Sequence, residues 1–336
     1  MSTRLAINGF GRIGRLVARI ASSRPDFELA AINDITDAAT SAHLLKYDSV
    51  HGLFPGVQPE ADDAISIGGH RVYVNNGRKN PELPWAKLGV EYVIESTGLF
   101  AEYDKAAMHL KCGARKVVIS TGPEGDKPIK SLVMGVNHTT YDPSTDHIVS
   151  NASCTTNCVV PVAKVIHENF GIVRGYMTTV HSYTNDQALL DRPHKDLRRA
   201  RAGALSLIPT STGAAKLIGV IFPELNGRID GMSLRAPTPD VSIVDLSCCV
   251  EKNTSKDEVN AAFLAASRGP LKGILEVVDE PVVSVDLCGN PHSAVVDSSL
   301  TAVIDKTLVQ VFAWYDNEFG YSNRLVDLVA YMASRG

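Results

Sequence analysis

The chain has 336 residues, of which 44% are hydrophobic and 21% are charged, and its net charge at pH 7 is −4. This composition is that of a globular protein, and the length exceeds one ordinary core, so we expect two domains. The small negative charge excludes a global basic surface for nucleic acid, and no apolar run is long enough for a membrane span.

The N-terminus and the cysteines predict the compartment. Residues 1–7 enter a strand-like run directly, without the basic segment and long apolar run of a secretory signal. Six cysteines are too few for a disulfide framework in a chain of this length. We therefore expect a reducing, cytoplasmic location, with at least one thiol kept free for chemistry.

The first half of the chain alternates between strand and helix patterns. Residues 4–7 predict a buried strand, 12–23 carry apolar side chains at helical spacing, and 27–32 predict a second strand. Such a strand–helix–strand unit implies parallel pairing with a right-handed crossover. Further apolar, strand-like runs lie at 92–94, 116–119 and 132–134, and a helix is expected at 103–111. The pattern predicts an open α/β sheet up to about residue 150.

Beyond residue 150 the pattern becomes richer in strands. A helix is expected over 159–169, with Pro161 either in its first turn or kinking it. Few helices separate the strand-like runs that follow, which lie at 176–184, 229–236, 241–250, 282–287 and 307–315. They predict a mixed or antiparallel sheet with one face covered. The arginine-rich segment 183–205 is long enough to be functional or interfacial, and 321–336 is expected to be a final helix.

The loop after the first strand carries a glycine pattern for binding a dinucleotide. Gly9, Gly11 and Gly14 form Gly-x-Gly-x-x-Gly between a predicted strand and a predicted helix, which is the context that the motif requires. Gly9 would make the tight turn, Gly11 would let the backbone approach the pyrophosphate, and Gly14 would let helix and sheet pack closely. The phosphates would lie at the helix N-terminus.

Asp34 ends the second strand, 20 residues beyond Gly14. A carboxylate there accepts hydrogen bonds from the ribose hydroxyls and repels a 2′-phosphate, which favours NAD over NADP. The alternative is an ordinary aspartate that caps a turn. The stretch Ser96-Thr97-Gly98-Leu99 follows another predicted strand and is a further candidate for lining the cofactor, although this pattern alone does not decide it.

The stretch Ser153–Val159 contains a candidate nucleophile, Cys154, beside hydroxyl side chains. Its place just before a helix predicts a lowered thiol pKa, since a helix N-terminus stabilises a thiolate. The alternative is a buried structural cysteine. Cys158 is better explained by core packing, because a metal site would need two more ligands and none is obvious nearby. His181, on an alternating strand among hydroxyl groups, is the candidate base, although a lone strand histidine is more often structural.

Six stretches give the chain a close resemblance to phosphorylating glyceraldehyde-3-phosphate dehydrogenases over nearly its whole length. They are residues 7–15, 44–49, 150–158, 211–216, 235–239 and 314–318. The resemblance implies that Cys154 is the nucleophile and His181 its activating partner. The thiolate would attack the aldehyde, hydride would pass to NAD, and inorganic phosphate would release an acyl phosphate from the thioester. The backbone N–H of Cys154 would be an oxyanion donor.

The resemblance also assigns two anion sites and the cofactor contacts. Thr184 and Arg235 would hold the substrate phosphate. The attacking phosphate would be surrounded by Ser153, Thr155, Thr212 and Gly213, with Arg199 nearby. The cofactor contacts carried over are Gly9, Gly11, Arg12, Ile13, Asp34, Arg78, Thr121 and Asn317. Of these, Asn317 would hold the nicotinamide amide. For the cluster of Arg198, Arg199 and Arg201 the alternative is a solvated or intersubunit face.

The implied organisation is a Rossmann NAD-binding domain over residues 1–152 and an α+β catalytic domain over 153–317 with a mixed or antiparallel sheet. The C-terminal helix, 318–336, would return to the first domain. The family forms homotetramers, and segment 183–205 resembles its long loop at a subunit interface. Neither a metal nor a membrane is implied.

Two stretches depart from the family pattern. Arg192 precedes Pro193 where NAD-specific relatives usually have an apolar residue. A cation there would tolerate a 2′-phosphate, so we expect a preference for NAD with weak use of NADP. The stretch 120–127, which contains Thr121, is more charged than the usual Ser-Ala-Pro stretch.

Two other functions compete with this interpretation. Erythrose-4-phosphate dehydrogenase shares the fold and the thiol, but residues 181–184 and 211–216 match the glyceraldehyde-phosphate pattern. A binding protein without turnover, for example one that binds RNA, would be indicated by loss of the thiol, the base or the anion residues, and all of them are present.

Overall fold

The computed structural model describes residues 2–77 and 82–336, so Arg78 lies outside the described residues. The chain divides into two compact units. Unit 1 comprises Met1–Met134, His138–Ala152 and Ser322–Gly336, and unit 2 comprises Gly135–Asn137 and Ser153–Tyr321.

Unit 1 contains a largely parallel sheet. Its strands in chain order are β1 (Thr3–Asn8), β2 (Phe27–Asp34), β3 (Tyr47–Asp48), β4 (Gly52–Leu53), β5 (Val57–Ala61), β6 (Ala64–Ile67), β7 (His70–Asn76), β8 (Tyr92–Glu95), β9 (Lys116–Ile119), β10 (Lys130–Ser131) and β11 (Ile148–Ser150). In the described part of the chain, nine of them form one sheet in the order β10-β11-β9-β8-β1-β2-β7-β6-β5. The strands from β10 to β7 run parallel, whereas β6 and β5 are antiparallel additions. Strands β3 and β4 pair separately.

Three helices follow strands of unit 1: α1 (Arg12–Ser22), α2 (Ala38–Lys46) and α3 (Tyr103–Lys111). Helix α1 buries Leu16, Val17 and Ile20, the apolar positions at helical spacing that predict it. Helix α3 ends before Gly113, whose φ of +107° suits a residue without Cβ. These elements make the predicted β1–α1–β2 unit with parallel pairing.

Unit 2 contains a mixed sheet covered by helices. Its strands are β12 (Ile172–Ser182), β13 (Ile208–Thr210), β14 (Ile229–Ala236), β15 (Ser242–Val250), β16 (Leu275–Val278), β17 (Ala294–Asp297), β18 (Ala302–Ile304) and β19 (Leu308–Tyr315). They pair in the order β13-β14-β12-β15-β19-β17-β16, with β18 on β19. Its helices are α4 (Cys154–Phe170), α5 (Ala214–Ile221) and α6 (Lys256–Arg268). The last helix of the chain is α7 (Phe319–Arg335).

The predicted fold class is confirmed: a parallel dinucleotide-type sheet and a mixed sheet with one covered face. Along β15, buried and half-buried residues alternate strictly, as expected when helices cover one side only. Strands β12 and β14 are parallel, whereas β12 and β15 are antiparallel, which makes the sheet mixed. Among the described residues, no helix is both long and apolar enough to cross a bilayer.

Three predicted elements differ in the structure. Helix α4 begins at Cys154 rather than residue 159, because the Ser153 side chain caps it by accepting the Thr156 N–H. Pro161 therefore lies inside the helix. The predicted strand at 132–134 is wrong, since the pairing partner β11 ends at Ser150. The predicted strand at 282–287 is also wrong. There the Asp286 side chain accepts the Val283 N–H and closes a 3₁₀ turn.

Segment 183–205 contains neither a helix nor a strand, as its polar composition suggested. A bridge between Ala188 and Ala202, together with the hydrogen bond from the Arg192 N–H to the Ala200 carbonyl oxygen, connects its two halves. Four leucines of this segment are between 76% and 84% exposed, namely Leu189, Leu190, Leu197 and Leu205. Exposed leucines at this density are typical of a surface that another chain covers.

Candidate active site

The glycine loop after β1 fits closely against neighbouring backbone. Gly9 has a φ of +92°, and a Cβ there would lie 2.7 Å from the Thr97 nitrogen. A Cβ at Gly14 would lie 2.1 Å from the carbonyl oxygen of Gly9. By contrast, a Cβ at Gly11 would meet no atom of the described chain within 4 Å. Packing therefore requires the first and last glycines, whereas Gly11 leaves free space beside the N-terminus of α1.

A cavity of about 510 Å³ lies beside this loop, at the carboxyl ends of β1, β2 and β8. Parallel strands flank β1 on both sides, so this is the position where open α/β sheets bind ligands. The cavity is lined by Asn8, Gly9, Gly11, Asn33, Asp34, Ile35, Gly77, Leu83, Ser96, Thr97, Leu99, Phe100 and Met108. An apolar wall with a few fixed polar groups fits an adenosine moiety. The candidate stretch 96–99 does contribute to this lining.

Asp34 lines the cavity and also anchors the glycine loop. One carboxylate oxygen accepts the N–H of Phe10, and the other accepts the N–H of Ile35 at 2.6 Å. The turn-capping role and the cavity-facing position thus belong to the same side chain. Because both oxygens are already anchored, the carboxylate is held in one orientation for a ligand.

Arg12 is held by a buried carboxylate of unit 1. Its Nη1 lies 2.5 Å from Oδ2 of Asp48, whose side chain is 3% exposed. Burial raises the pKa of Asp48, but hydrogen bonds from the N–H groups of His51 and Val50 and from Arg12 outweigh it and lower the pKa to about 2. Asp48, from the stretch 44–49, therefore holds the side chain of Arg12, the first residue of α1.

The other two cofactor candidates of unit 1 lie near this region without lining the cavity. Ile13 is half-buried in the first turn of α1. Thr121 follows β9, and its carbonyl oxygen accepts the Ser150 hydroxyl at 2.5 Å.

A buried polar network, which the sequence did not predict, holds two of the residues that line the cavity. Glu95, at the end of β8, is 1% exposed. Its Oε1 accepts the backbone N–H and the hydroxyl of Thr97, the former at 2.8 Å. Its Oε2 accepts the Asn8 amide and lies 2.9 Å from Nε2 of His109. Four donors thus surround one carboxylate, which satisfies it as an anion.

The proton on His109 is fixed by Trp85. The Trp85 indole N–H can only donate, and it lies 3.1 Å from Nδ1 of His109. The imidazole is therefore a Nδ1 acceptor, and its Nε2–H donates to Glu95. Asn8 continues the network, because its Oδ1 accepts from Asn33. Two residues that line the cavity, Asn8 and Thr97, are consequently positioned by one buried carboxylate.

In unit 2, Cys154 and His181 form a close pair. Cys154 is the first residue of α4 and is half-buried, and its Sγ lies 3.4 Å from Nε2 of His181. His181 lies on β12, where its parallel partner on β14 is Arg235. Nη1 of Arg235 lies 2.5 Å from Nδ1 of His181, and the carbonyl oxygen of Ser182 lies 2.7 Å from the same nitrogen. The predicted thiol and base are therefore brought together with one predicted anion ligand.

Burial disfavours charge on either member of this pair alone. It raises the pKa of the Cys154 thiol, a change that Arg235 and the Thr155 N–H oppose without reversing. Burial, and next Arg235, lower the pKa of His181 to about 3. The sequence-based expectation of a lowered thiol pKa is wrong for this thiol taken singly, because burial outweighs the helix terminus. Moving the proton from Sγ to Nε2 would create both charges together at contact distance, where each charge stabilises the other.

Nδ1 of His181 faces both an acceptor, the Ser182 carbonyl oxygen, and a donor, Nη1 of Arg235, so its two partners favour opposite tautomers. With the proton on Nδ1, that N–H donates to the Ser182 carbonyl, and Nε2 is an acceptor facing the thiol. Arg235 can then donate to the same carbonyl, which lies 3.2 Å from its Nη1, but its contact with Nδ1 joins two donors in this tautomer. This tautomer is the one in which His181 can act as a base toward Cys154.

The hydroxyls of the predicted anion sites each have a protein partner. Ser153 caps α4, and Thr155 lies 2.9 Å from the buried Tyr315 hydroxyl. Thr184 lies 3.2 Å from the amide oxygen of Gln187. Thr212 accepts the Ala214 N–H at the start of α5. The hydroxyls are thus oriented by local structure before any ligand binds.

The remaining two anion candidates differ in their surroundings. Gly213 is exposed at the N-terminus of α5, where a Cβ would meet no described atom within 4 Å. Arg199 is half-buried, and its guanidinium contacts Asp186 at 3.3 Å and the Thr210 hydroxyl at 2.8 Å. Carboxylate pairing gives Arg199 a structural role within segment 183–205.

Asn317 follows β19 and is 6% exposed. Its Oδ1 accepts the hydroxyls of Ser182 and Ser242, at 2.6 Å and 2.7 Å. Sequence reasoning missed both serines, as well as Tyr315. The alternation of β19 could have indicated that Tyr315 points inward, whereas the serine contacts depend on strand pairing that no local pattern reveals.

A dinucleotide-type cavity on a parallel sheet and a thiol–imidazole pair at a helix terminus are typical of nicotinamide-dependent oxidoreductases. Residues 3–103 match the family model "Glyceraldehyde 3-phosphate dehydrogenase, NAD binding domain", and residues 153–317 match "Glyceraldehyde 3-phosphate dehydrogenase, C-terminal domain". The chain belongs to the glyceraldehyde-3-phosphate dehydrogenase family, whose N-terminal domain is described as binding NAD.

Similar proteins span the whole chain. The glyceraldehyde-3-phosphate dehydrogenase of Geobacillus stearothermophilus is 54% identical over 100% of both chains. Glyceraldehyde-3-phosphate dehydrogenase 1 of Bacillus cereus is 52% identical over 99% of both. Glyceraldehyde-3-phosphate dehydrogenase of Mycobacterium avium is 53% identical over 98% of both.

Proposed function

We propose that this protein oxidises D-glyceraldehyde 3-phosphate to 1,3-bisphosphoglycerate, with NAD as hydride acceptor and inorganic phosphate as second substrate. The observation that carries the proposal is the contact of 3.4 Å between Sγ of Cys154 and Nε2 of His181. A thiol and a base at this distance are the groups that covalent aldehyde oxidation requires. The full-length similarity to enzymes named for this substrate supports the assignment.

The contact between Cys154 and His181 supports the following roles for the pair. Nε2 of His181 takes the thiol proton as Sγ bonds to the aldehyde carbon, and the Cys154 N–H at the helix terminus stabilises the oxyanion. His181 then returns a proton to that oxygen and takes it back as the carbon loses hydride. NAD, when bound, supplies the hydride acceptor. The resulting thioester is cleaved by phosphate, which leaves the thiolate to recover its proton.

Arg235 connects substrate binding to this proton transfer. Its positive charge lowers the pKa of His181. A phosphate group bound by Arg235 would offset that charge and thus favour the imidazolium that forms during the reaction. In this proposal Thr184 helps Arg235 to hold the substrate phosphate, while Ser153, Thr155, Thr212 and Gly213 hold the attacking phosphate with Arg199 nearby.

The cofactor contacts are likewise proposed. Gly9, Gly11, Arg12, Ile13 and Asp34 would bind the adenosine and pyrophosphate groups, and Asn317 would bind the nicotinamide amide. Arg78 and Thr121 are carried over from the family pattern only. The free space at Gly11 and the anchored carboxylate of Asp34 fit such a ligand.

We also propose the domain boundaries and the assembly. The NAD-binding domain would comprise 1–152 with the helix 318–336, and the catalytic domain would comprise 153–317. The four exposed leucines of segment 183–205 favour a homotetramer, whose subunit contacts would cover them. A cytoplasmic location fits the thiol chemistry.

The test is NADH formation from glyceraldehyde 3-phosphate with and without inorganic phosphate. Parallel reactions use NADP, erythrose 4-phosphate and the variant Cys154→Ser. We expect NADH formation that requires phosphate and is lost in the variant. Turnover of erythrose 4-phosphate alone would move the assignment to that substrate, and no turnover of either aldehyde would favour a binding function.

A further inference from the structure

We propose that Ser182 and Ser242 are positioning residues that hold the Asn317 amide in one orientation and thereby present its Nδ2 as a donor to the carboxamide oxygen of the nicotinamide. This inference rests on the proposed function. It concerns three side chains that meet where β12 ends, where β15 begins and just after β19 ends.

The hydrogen-bond geometry fixes the Asn317 amide. Both serine side chains are essentially buried, with Ser182 0% and Ser242 1% exposed. An amide oxygen carries no proton, so each hydroxyl must be the donor in its contact with Oδ1. The backbone N–H of Ser182 donates to Oγ of Ser242 at 3.1 Å, which leaves the proton of that hydroxyl for Asn317.

The opposite amide orientation would lose hydrogen bonds. With Nδ2 facing the serines, both hydroxyl protons would need new acceptors. Among the described residues, the serine hydroxyls have only each other as a further candidate, at 3.4 Å. Only one of them can donate across that contact, so the other would remain buried without an acceptor, at a cost comparable to a lost hydrogen bond.

The fixed amide leaves a donor for the ligand. Nδ2 of Asn317 has no partner among the residues that the structure describes, and it can only donate. It therefore binds the carbonyl side of a carboxamide and rejects the NH₂ side. The orientation of the Asn317 amide thus decides which end of the carboxamide the site accepts.

Equilibrium binding separates this role from a general structural one. We would measure the affinities of NAD and ADP-ribose, which lacks the nicotinamide, for the wild type and for Ser182→Ala, Ser242→Ala and the double variant. Each lost hydrogen bond should weaken NAD about 5-fold, and the double variant should weaken it about 20-fold. Affinity for ADP-ribose should stay within about 2-fold. The matched control is Ser247→Ala on β15, whose hydroxyl contacts Asp245 and should change neither affinity.

Unchanged NAD affinity in all three variants would overturn the inference. If the double variant does not fold, the two single variants decide in the same way, with a smaller expected change.

The result also separates this inference from the proposed function. A wild type that neither binds NAD nor forms NADH would overturn the proposed function itself. A wild type that does both, beside variants indistinguishable from it, would overturn the positioning role alone.

Discussion

The protein buries ionisable groups in two places, at Glu95 and at the Cys154–His181 pair, and their surroundings treat charge in opposite ways. Glu95 receives four hydrogen bonds, from Thr97, Asn8 and His109, so its negative charge is compensated before any ligand arrives. The thiol and the imidazole have few such partners, and burial disfavours charge on each of them. The first arrangement is a permanent structural support, whereas the second keeps charge formation for the chemical step.

Replacing the base should produce the largest effect. His181→Asn keeps a polar side chain of smaller volume but removes the group that accepts the thiol proton. We expect kcat/KM to fall by about 10²- to 10⁴-fold with little change in stability. Steady-state NADH formation and urea unfolding, measured side by side, check both parts. A variant that loses stability and activity together would mean that His181 is structural, as Glu95 is.

Replacing the compensated carboxylate should instead affect stability. In Glu95→Gln, the new NH₂ group must face a donor, either at Thr97 or at His109. His109 cannot adapt, because Trp85 occupies its Nδ1. We expect a loss of about 3 kcal/mol in the free energy of unfolding.

Denaturant unfolding tests this expectation. The control is Glu102→Gln, whose side chain is 41% exposed and pairs with Lys105 at the surface. The substitution Trp85→Phe frees Nδ1 of His109 for a change of tautomer. Glu95→Gln should therefore lower the free energy of unfolding less in the Trp85→Phe background than in the wild type. Equal stability of Glu95→Gln and Glu102→Gln would remove the proposed distinction between the two regions.

Asp48 is another carboxylate that accepts several hydrogen bonds, and its contribution to stability should depend on pH. Its pKa is about 2 in the folded chain against 3.8 for the unperturbed group. A lowered pKa contributes stability above the unfolded value, and this contribution is lost as pH falls from about 4 toward 2. The difference corresponds to about 2 kcal/mol. The stability gap between wild type and Asp48→Asn should therefore be constant from pH 5 to 7 and narrow by that amount toward pH 2. A gap that stays constant down to pH 2 would contradict this.

Arg192→Leu should give the smallest effect. Arg192 is exposed, and its guanidinium contacts only the Asp186 carbonyl oxygen, at 3.1 Å, among the described residues. Removing this exposed cation should lower kcat/KM for NADP a few-fold and leave that for NAD unchanged, since exposed charges contribute little energy. If NADP use is the same in the variant, Arg192 has no part in cofactor choice.

Local patterns predicted most of the fold. The β1–α1–β2 unit was evident because helical spacing and the glycine loop coincide, and β15 was evident from its alternation. The failures at 132–134 and 282–287 share a cause: apolar residues indicate burial, but pairing partners and side-chain turns decide whether a strand forms.

The candidate site was predictable only where a motif carries it. Cys154 and the glycine loop lie in short, specific stretches of sequence. Glu95 with Asn8, and Ser242 with Asn317, are contacts between residues 87 and 75 positions apart. Such contacts arise from strand order, which a single sequence does not encode locally. The pKa of Cys154 was mispredicted for a related reason, because burial is a property of the folded unit.

The double role of Asp34 has a consequence for anyone who redesigns the coenzyme preference of this protein. Deleting the carboxylate to admit a 2′-phosphate would also release the Phe10 N–H that it holds, and with it the glycine loop. Glycine or alanine at this position would therefore remove the charge but also release the glycine loop. Asparagine removes the charge and keeps an acceptor for Phe10 at the expense of the Ile35 hydrogen bond, which makes it a better starting point than glycine or alanine.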